Sequence, residues 1–212
     1  MGLLNKILPK QLKPISRDIG FTLHTIFYKI KNIGKESNPL PIFIFGNQKS
    51  GTSAIAALLG ELTAIPTAID LFYSGFNFQL FIKWKKKEIT TKEFINKNKK
   101  EFAKTIIKEP HLSVFYKELK EEFPNAKFVM IVRNPVDNIR SILDRLNIDG
   151  TKSQLDKKDK KKIFHSWNLL FNNQWIGGNK TQYIETLAER WNIIMDSYFE
   201  NKEGIILVKY ED

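Results

Sequence analysis

The chain has no cysteine and only three histidines among its 212 residues. The absence of cysteine excludes disulfides, thiol catalysis and thiolate metal sites. The histidines, His24, His111 and His165, are scattered along the sequence, which is not the spacing of a dedicated transition-metal site. We therefore expect a chemistry that uses neither a thiol nor a bound metal.

Long hydrophobic runs are also absent. No apolar run approaches the roughly 18 to 20 residues that cross a bilayer, and the stretch Ile19 to Ile30 is interrupted by His24 and Lys29. We predict that residues 1–38 form a basic, amphipathic helical extension that packs on the remaining domain, residues 39–212. Peripheral membrane contact through this N-terminus is the alternative. The expected location is cytoplasmic, with or without that membrane contact.

Basic residues outnumber acidic residues. The chain has 34 Lys and Arg and 23 Asp and Glu, which gives a formal charge of +11. Such a positive field concentrates anions. A specific anion site and a merely solvated lysine surface both fit this charge, so composition leaves the partner open. Nucleic acid is not an expected partner. A hydrophobic fraction of 42% with 16 Phe supports one well-packed globular core.

Strand and helix patterns alternate along the chain. The predicted strands are Ile42–Phe45, Thr105–Lys108, Lys127–Val132 and Ile205–Lys209, and the predicted helices are Ser53–Leu62, Leu112–Glu122, Val136–Leu146 and Gln182–Tyr198. This alternation predicts an α/β fold with a parallel β-sheet flanked by helices. Ligands of such sheets bind at the carboxyl ends of the strands.

Two segments do not follow this alternation. Phe72–Lys100 is first aromatic and then rich in lysine, and we predict helical excursions over the ligand site. Asp149–Lys162 contains five lysines within six residues and is predicted to be an exposed, mobile loop. Solvated charge is the default interpretation of both segments, and a lid over an anionic substrate is the alternative.

The most informative segment is Gly46–Ser53, which reads Gly-Asn-Gln-Lys-Ser-Gly-Thr-Ser between the first predicted strand and the first predicted helix. A glycine-bounded loop at a helix start presents backbone N–H groups and a favourable helix dipole to a phosphate. An ATP-binding P-loop has Lys directly after its second glycine. Here Thr52 stands at that position, and the only lysine, Lys49, lies two residues before Gly51. The segment predicts a phosphate site with a displaced cation.

A second anion site is predicted after the strand that ends at Val132. Pro135 is suited to a first helical turn, and Asn134 before it is suited to the N-cap. Arg133 then lies at the carboxyl edge of the strand, with Ser141 two turns into the helix. An arginine fork with a hydroxyl fits a second phosphate. A structural ion pair between Arg133 and a carboxylate is the alternative.

Together these motifs resemble the sulfotransferase family, whose members use 3′-phosphoadenosine 5′-phosphosulfate as the sulfuryl donor. The segment Gln48-Lys49-Ser50-Gly51-Thr52-Ser53 is similar to the family's first motif, and Arg133 followed by Ser141 is similar to its second. Leu187–Trp191 and Ile206–Asp212 resemble the family's late helix and its strand ending in Tyr-Glu-Asp. The resemblance implies a P-loop-NTPase-like sulfotransferase fold from the first predicted strand to the last residue.

The resemblance also implies roles for the motif residues. The loop residues Gln48 to Ser53 would hold the 5′-phosphate, with backbone N–H groups of Ser50 to Ser53 and the hydroxyls of Thr52 and Ser53 as donors. Lys49 would neutralise the charge that develops on the leaving phosphate oxygen. Arg133 and Ser141 would bind the 3′-phosphate, which ATP and GTP lack. The product nucleotide would be 3′,5′-adenosine bisphosphate, and this scheme requires no metal.

The general base is the residue that the sequence determines least. Lys108-Glu109-Pro110-His111 resembles the Lys-Thr/Ser-Pro element of bacterial and carbohydrate-acting members, which implies that Lys108 touches the transferring group. His111 and Glu109 are then candidates for the base. Asp70 is a third candidate, because a carboxylate shortly after the first helix serves in some protein-tyrosine-acting members. Each could equally be a surface or helix-capping residue.

Two features depart from the family pattern. Ala54 replaces the Trp that often follows the loop in cytosolic, phenol-acting members, and the chain ends at Asp212, where members usually continue with further helices and a basic loop. The predicted function is sulfuryl transfer to a hydroxyl or amine of a carbohydrate, lipid or small metabolite. The main alternative is a truncated or degenerate, non-catalytic relative that binds nucleotide or a polyanionic partner. A P-loop kinase is the less favoured alternative.

Overall fold

Five parallel strands form a single sheet in the computed structural model, which describes residues 34–212. In chain order the strands are β1 (Ile42–Gly46), β2 (Thr67–Ile69), β3 (Ile106–Lys108), β4 (Lys127–Val132) and β5 (Ile206–Lys209). Their order across the sheet is β2-β3-β1-β4-β5, and each neighbouring pair is parallel. The protein therefore has the predicted α/β fold with a parallel sheet.

The helices flank this sheet and connect its strands. Within the described range they are α1 (Thr52–Thr63), α2 (Phe72–Phe76), α3 (Gln79–Lys85), α4 (Thr91–Lys97), α5 (Lys99–Phe102), α6 (Tyr116–Glu122), α7 (Pro135–Leu146), α8 (Lys157–Lys162) and α9 (Tyr183–Glu200). Four 3₁₀ turns accompany them, at Pro110–Val114, His165–Leu170, Gln174–Ile176 and Lys202–Gly204. The helical excursions expected in Phe72–Lys100 are α2, α3, α4 and the start of α5.

The N-terminal extension predicted for residues 1–38 lies almost entirely outside the described residues. Within the described range, Glu36–Asp212 forms one structural unit. None of the helices found between residues 34 and 212 is long and apolar enough to span a membrane.

The start of α7 has the predicted chemistry. Pro135 occupies the first turn, and the Asn134 side-chain oxygen accepts hydrogen bonds from the N–H groups of Val136 at 3.0 Å and Asp137 at 3.4 Å. These bonds satisfy two of the donors that a helix N-terminus leaves without a partner. The cap therefore holds the preceding residue, Arg133, at the carboxyl end of β4.

Two elements differ from the sequence prediction. Strand β2 was not predicted, because three residues are too short to show an alternating pattern, and its pairing with β3 is a tertiary feature. The helix predicted at Leu112–Glu122 is divided in two. Its first part belongs to the 3₁₀ turn Pro110–Val114, and α6 begins only after Phe115, whose backbone is not helical.

The prediction of an exposed, mobile loop at Asp149–Lys162 is wrong for its second half, which contains α8. Asp156 caps this helix by accepting hydrogen bonds from two backbone N–H groups of its first turn. The carboxylate of Asp159 is 2% exposed and pairs with Lys152 at 2.6 Å and Lys162 at 2.9 Å. The lysine run is therefore ordered by a buried carboxylate, which a charge pattern alone does not reveal.

The core surrounds the central strand on both faces of the sheet. Phe43 and Phe45 of β1 point to one face, where Phe43 lies 5.3 Å from Phe128 between ring centroids. Ile44 points to the other face and packs with Ala56 of α1. All of these side chains are buried. A strand apolar on both faces is expected in a parallel sheet covered on both sides.

Replacing Phe43 with Ala should destabilise the fold by about 3–5 kcal/mol, because it leaves a cavity among four neighbouring rings, those of Phe45, Phe102, Phe123 and Phe128. Chemical denaturation measures this free energy of unfolding. Phe199, which is 63% exposed, is the matched control, and Phe199→Ala should change stability by less than about 0.5 kcal/mol. Similar losses in the two variants would contradict this description of the core.

Candidate active site

One edge of the sheet collects polar residues from every strand. Asp70 follows β2, Lys108 ends β3, the loop of residues 47–51 follows β1, Arg133 follows β4 and Tyr210 follows β5. All five of these contribute to the lining of one cavity of about 710 Å³. Because β1 is central and the chain crosses from one side of it to the other, the loop after β1 occupies the reversal point where such sheets bind ligands.

The loop begins at a glycine that no other residue can replace without strain. Gly46 has φ 142°, and a side chain there would collide with the carbonyl of Ile131 and the methyl group of Thr52. The hydroxyl of buried Ser113 accepts a hydrogen bond from Gly46 N at 2.9 Å and donates one to Gly46 O at 3.2 Å. The 3₁₀ turn after β3 thereby holds the start of the loop.

Two further residues of the loop have left-handed backbones. Lys49 has φ 70°, which is unusual for a lysine and indicates local strain, and Gly51 has φ 86°. Gly51 is the N-cap of α1 without a side-chain cap, and the Tyr210 ring packs where a Cβ would project. The first N–H groups of α1 have no intrahelical acceptor, so this end of the helix can bind an anion.

The central part of the loop is held by α7. The amide nitrogen of buried Asn138 donates to Gln48 O at 2.8 Å and to the Ser50 hydroxyl at 3.1 Å. Ser50 N donates within the loop to Asn47 O at 3.2 Å. The N–H of Ser50 thus has a partner within the loop, and its hydroxyl contacts Asn138. Thr52 and Ser53 do line the cavity, as does Gln48.

Arg133 joins the two predicted anion sites. Its Nη1 donates to Lys49 O at 3.1 Å, and its guanidinium carbon lies 4.8 Å from the centre of the Tyr210 ring. Ser141 lines the same cavity two turns along α7, and so does Arg145 one turn further. The structural alternative, a carboxylate partner for Arg133, is not formed among the described residues. The guanidinium is bound instead to a carbonyl and an aromatic face.

Lys108 and Asp70 form an ion pair at the floor of the cavity. Lys108 Nζ lies 2.5 Å from Asp70 Oδ1, and Asp70 N donates to Lys108 O at 2.8 Å. The lysine side chain is 5% exposed and that of Asp70 is 58% exposed. The buried ammonium thus depends on a carboxylate that faces the cavity, which places both residues at the site but commits Asp70 to a partner.

Glu109 is a buried carboxyl group with access to the cavity. Its two oxygens accept backbone hydrogen bonds from Leu71 N at 3.1 Å and from His111 N at 3.0 Å. Burial, and secondarily the negative charge of Asp70, raises the pKa of Glu109 to about 7, although Lys108 and the two backbone bonds act in the opposite direction. A carboxyl group with such a pKa is both a proton acceptor and a proton donor near neutrality.

His111 is 2% exposed and both ring nitrogens have partners. Arg190 Nη2 lies 2.9 Å from Nδ1, and the Gln48 amide nitrogen lies 3.1 Å from Nε2. Burial, followed by the positive charges of Arg190 and Lys108, holds the pKa of His111 well below its usual value, although a hydrogen bond that the ring donates to the Ser166 backbone acts in the opposite direction. His111 is therefore a neutral, hydrogen-bonded side chain at neutral pH.

Aromatic rings form a wall of the cavity. Phe76 lies 4.8 Å from Phe72 and 4.3 Å from His165 between ring centroids. Phe164 and Trp167 continue this wall from the 3₁₀ turn region after α8. His165 has a left-handed backbone, φ 48°, and burial lowers its pKa, so the wall carries no charge at neutral pH.

The sequence predicted the loop residues 48–53, Arg133, Ser141 and the three base candidates, and all of these residues line this cavity except Ser50. It missed Asn138, Ser113 and the aromatic wall. A signal for Asn138 was present, because it precedes Ser141 by three residues and a helix puts such positions on one face. No comparable signal exists for Ser113, whose role depends on a contact with a residue 67 positions away.

A metal-binding cluster of three or more His, Asp or Glu residues does not occur within residues 34–212. The donors at this site are instead ammonium, guanidinium, hydroxyl and backbone N–H groups. Such donors bind anions.

The glycine-bounded loop between a central parallel strand and a helix places this protein in the class of P-loop-like α/β domains. The chain matches the sulfotransferase domain family over residues 39–212, and it belongs to that family. No curated protein sequence matches the chain.

Two solved structures are similar to the protein at low sequence identity. A sulfotransferase from Alicyclobacillus acidocaldarius is 17% identical, with 81% of this chain and 73% of that chain covered and a TM-score of 0.47. An uncharacterized protein from Eubacterium ventriosum is 14% identical, with 81% and 89% covered and a TM-score of 0.35. Because both TM-scores are below 0.5, the family assignment rests on the match over residues 39–212.

The raised pKa of Glu109 predicts a specific pH dependence of stability. Between pH 4.5 and about 7 the folded state binds this proton more tightly than the unfolded state, so the wild type loses stability as the pH rises. Glu109→Gln removes that loss. The stability of the variant relative to wild type should therefore improve by about 2 kcal/mol from pH 5 to pH 8. Urea unfolding of both proteins at the two pH values measures it, and a pH-independent difference would contradict the assignment.

Proposed function

We propose that this protein transfers a sulfuryl group from 3′-phosphoadenosine 5′-phosphosulfate to a hydroxyl or amine of a carbohydrate, lipid or small metabolite. The observation that carries the proposal is the single cavity that is lined by the displaced-lysine loop, by Arg133 with Ser141, and by buried Glu109. Membership of the sulfotransferase domain family supports the reaction class.

The anion-binding groups fit a nucleotide with two separate phosphates. The N–H groups of Gly51 to Ser53 and the hydroxyls of Thr52 and Ser53 would hold the 5′-phosphate at the start of α1. Arg133 and Ser141 would hold the 3′-phosphate. Among the described residues the Arg133 guanidinium has no carboxylate partner and donates to Lys49 O, and the Arg133 carbonyl accepts from Trp191 Nε1. The donor supplies the sulfuryl group and a phosphate leaving group, and the charges at both ends are met by fixed cations and N–H donors.

Lys49 would stabilise the leaving phosphate oxygen. Its ammonium is exposed at the cavity, while its strained backbone is held by the bond from Arg133 to its carbonyl. A donor placed where charge develops lowers the barrier without strengthening ground-state binding equally. Buried Lys108, which is paired with Asp70 and also lines the cavity, would touch the transferring group.

Lys49→Ala should lower kcat about a hundredfold or more, because the charge on the leaving oxygen develops in the transition state. The same oxygen is fully charged in 3′,5′-adenosine bisphosphate, so the variant should also bind this product more weakly than wild type. Calorimetry measures the binding and a sulfuryl-transfer assay measures kcat. Lys86→Ala is the control, since Lys86 is exposed and outside the cavity. Unchanged turnover in Lys49→Ala, or no bisphosphate binding by the wild type, would overturn the proposal.

Among the three base candidates, the geometry supports Glu109. His111 has both ring nitrogens occupied, and Asp70 is paired with Lys108. Glu109 keeps unshared lone pairs after accepting its two backbone bonds, and its pKa of about 7 suits a base that works near neutral pH. The uncharged aromatic wall beside it supports an acceptor whose body carries no charge.

If Glu109 is the base, kcat/KM should rise with pH and level off above about 7, because only the ionised carboxylate accepts a proton. Glu109→Gln should lower kcat/KM by about 10²–10⁴-fold and abolish that rise. Rate measurements between pH 5 and 9 test this, with Glu121→Gln, an exposed carboxylate outside the cavity, as the control. A pH profile that keeps the same rise in Glu109→Gln would exclude this role.

A further inference from the structure

Two neighbouring residues of α9 contact residues of the two predicted phosphate sites without lining the cavity. Arg190 contacts His111, which contacts Gln48 in the loop, whereas Trp191 contacts the backbone of Arg133. Successive residues of a helix point about 100° apart, so one short stretch of α9 can reach both places. Neither residue is in the cavity lining.

The first connection determines which groups donate and which accept the hydrogen bonds. Arg190 is 1% exposed, and its Nη2 lies 2.9 Å from His111 Nδ1, while its Nη1 donates to Leu169 O at 3.4 Å. A guanidinium can only donate, so Nδ1 of His111 accepts and the ring proton is on Nε2. That proton needs an acceptor. The Gln48 amide nitrogen lies 3.1 Å from Nε2, and Oε1 of Gln48 is buried without a partner. Exchanging the two amide atoms of Gln48 places its oxygen at Nε2–H and satisfies both groups, beside the hydrogen bond between His111 and the Ser166 backbone.

The charges around His111 favour the same arrangement. Arg190 from α9 and Lys108 from β3 oppose protonation of the ring. Glu109 supplies the negative charge that opposes the effect of burial on Arg190, whose pKa is lowered to about 10 and which stays cationic at neutral pH. Asp70 pairs with Lys108. A neutral His111 in one tautomer thus connects Arg190 to the loop by hydrogen bonds.

The second connection is a single hydrogen bond. Trp191 Nε1 donates to Arg133 O at 3.1 Å, at the junction between β4 and α7. This carbonyl belongs to the residue whose guanidinium also donates to Lys49 O and lies over Tyr210. Trp191 therefore contacts Arg133 on its backbone side, away from the groups that face the cavity.

We propose that Arg190 and Trp191 are positioning residues, each acting mainly on one of the two phosphate sites: Arg190 acts on the 5′-phosphate loop through His111 and Gln48, and Trp191 acts on the 3′-phosphate site through the backbone of Arg133. The inference rests on the proposed function, because it needs a nucleotide with two phosphates. It gives a physical role to the segment Leu187–Trp191, and it makes His111 a link in a buried chain.

The test compares three probes that share one nucleoside: 3′,5′-adenosine bisphosphate, adenosine 5′-phosphate and adenosine 3′-phosphate. Arg190→Met should weaken the affinity for adenosine 5′-phosphate about tenfold and leave the affinity for adenosine 3′-phosphate within about twofold of wild type. Trp191→Phe, which keeps a ring but removes the N–H, should show the reverse pattern. Both variants should weaken the bisphosphate. Calorimetry by displacement of the bisphosphate measures each affinity.

Controls separate positioning from general destabilisation. Ile193→Ala changes a partly buried α9 residue that contacts neither connection, and it should weaken the two monophosphates equally or not at all. Arg190→Lys keeps the charge at this position if Arg190→Met does not fold. A parallel loss of both monophosphates in Arg190→Met and in Trp191→Phe would overturn the inference.

A second readout does not depend on nucleotide binding. Because the protein has three histidines, ¹⁵N-histidine labelling gives three ring systems, and His111→Asn identifies that of His111. The wild type should show a neutral ring protonated on Nε2 at pH 6. In Arg190→Met the pKa of His111 should rise and the single tautomer should be lost, whereas Arg190→Lys should retain the low pKa because it keeps the positive charge. An unchanged tautomer in Arg190→Met would overturn the Arg190 connection.

The two readouts also distinguish this inference from the proposed function. If the wild type binds none of the three nucleotides, the proposed function fails, and the positioning role in nucleotide binding fails with it, whatever the histidine spectrum shows. If the wild type binds the bisphosphate but the variants show no opposite pattern, only the positioning role fails.

Discussion

The backbone of residues 46–50 is held by side chains from three other parts of the chain. Ser113 binds Gly46 on both its N–H and its carbonyl, Asn138 binds the carbonyl of Gln48, and Arg133 binds the carbonyl of Lys49. Lys49 can keep its left-handed backbone only because these bonds outweigh the local strain. The shape of the cavity, and every role assigned to its lining, depends on this loop.

Charge is distributed unevenly around that loop. Arg133 and Lys49 contribute positive charge to the cavity lining, and the aromatic wall contributes none at neutral pH. Burial raises the pKa of Glu109 and lowers the pKa of His111. Both shifts favour the uncharged form, so the carboxyl group is partly protonated and the imidazole is neutral at neutral pH.

The motifs predicted local structure well where one segment of sequence carries both a group and its geometry. The loop Gly46–Ser53 and the Asn134 cap of α7 are of this kind, because a glycine, a proline and a capping side chain act on their own neighbours. The motifs did not reveal contacts with distant partners. The hydroxyl of Ser50, for example, binds Asn138 of α7. The ordering of α8 by Asp159 is a second case.

The sequence by itself determined the parallel α/β class and the displaced lysine, and it predicted two anion sites, since these follow from local patterns and from the rule that parallel strands end at one edge. Only the tertiary structure decided that the pKa of Glu109 is raised and that His111 is linked to Arg190. The physical reason is that a pKa and a tautomer depend on burial and on charges supplied by residues far away in the sequence. Arg190 and His111 are 79 positions apart.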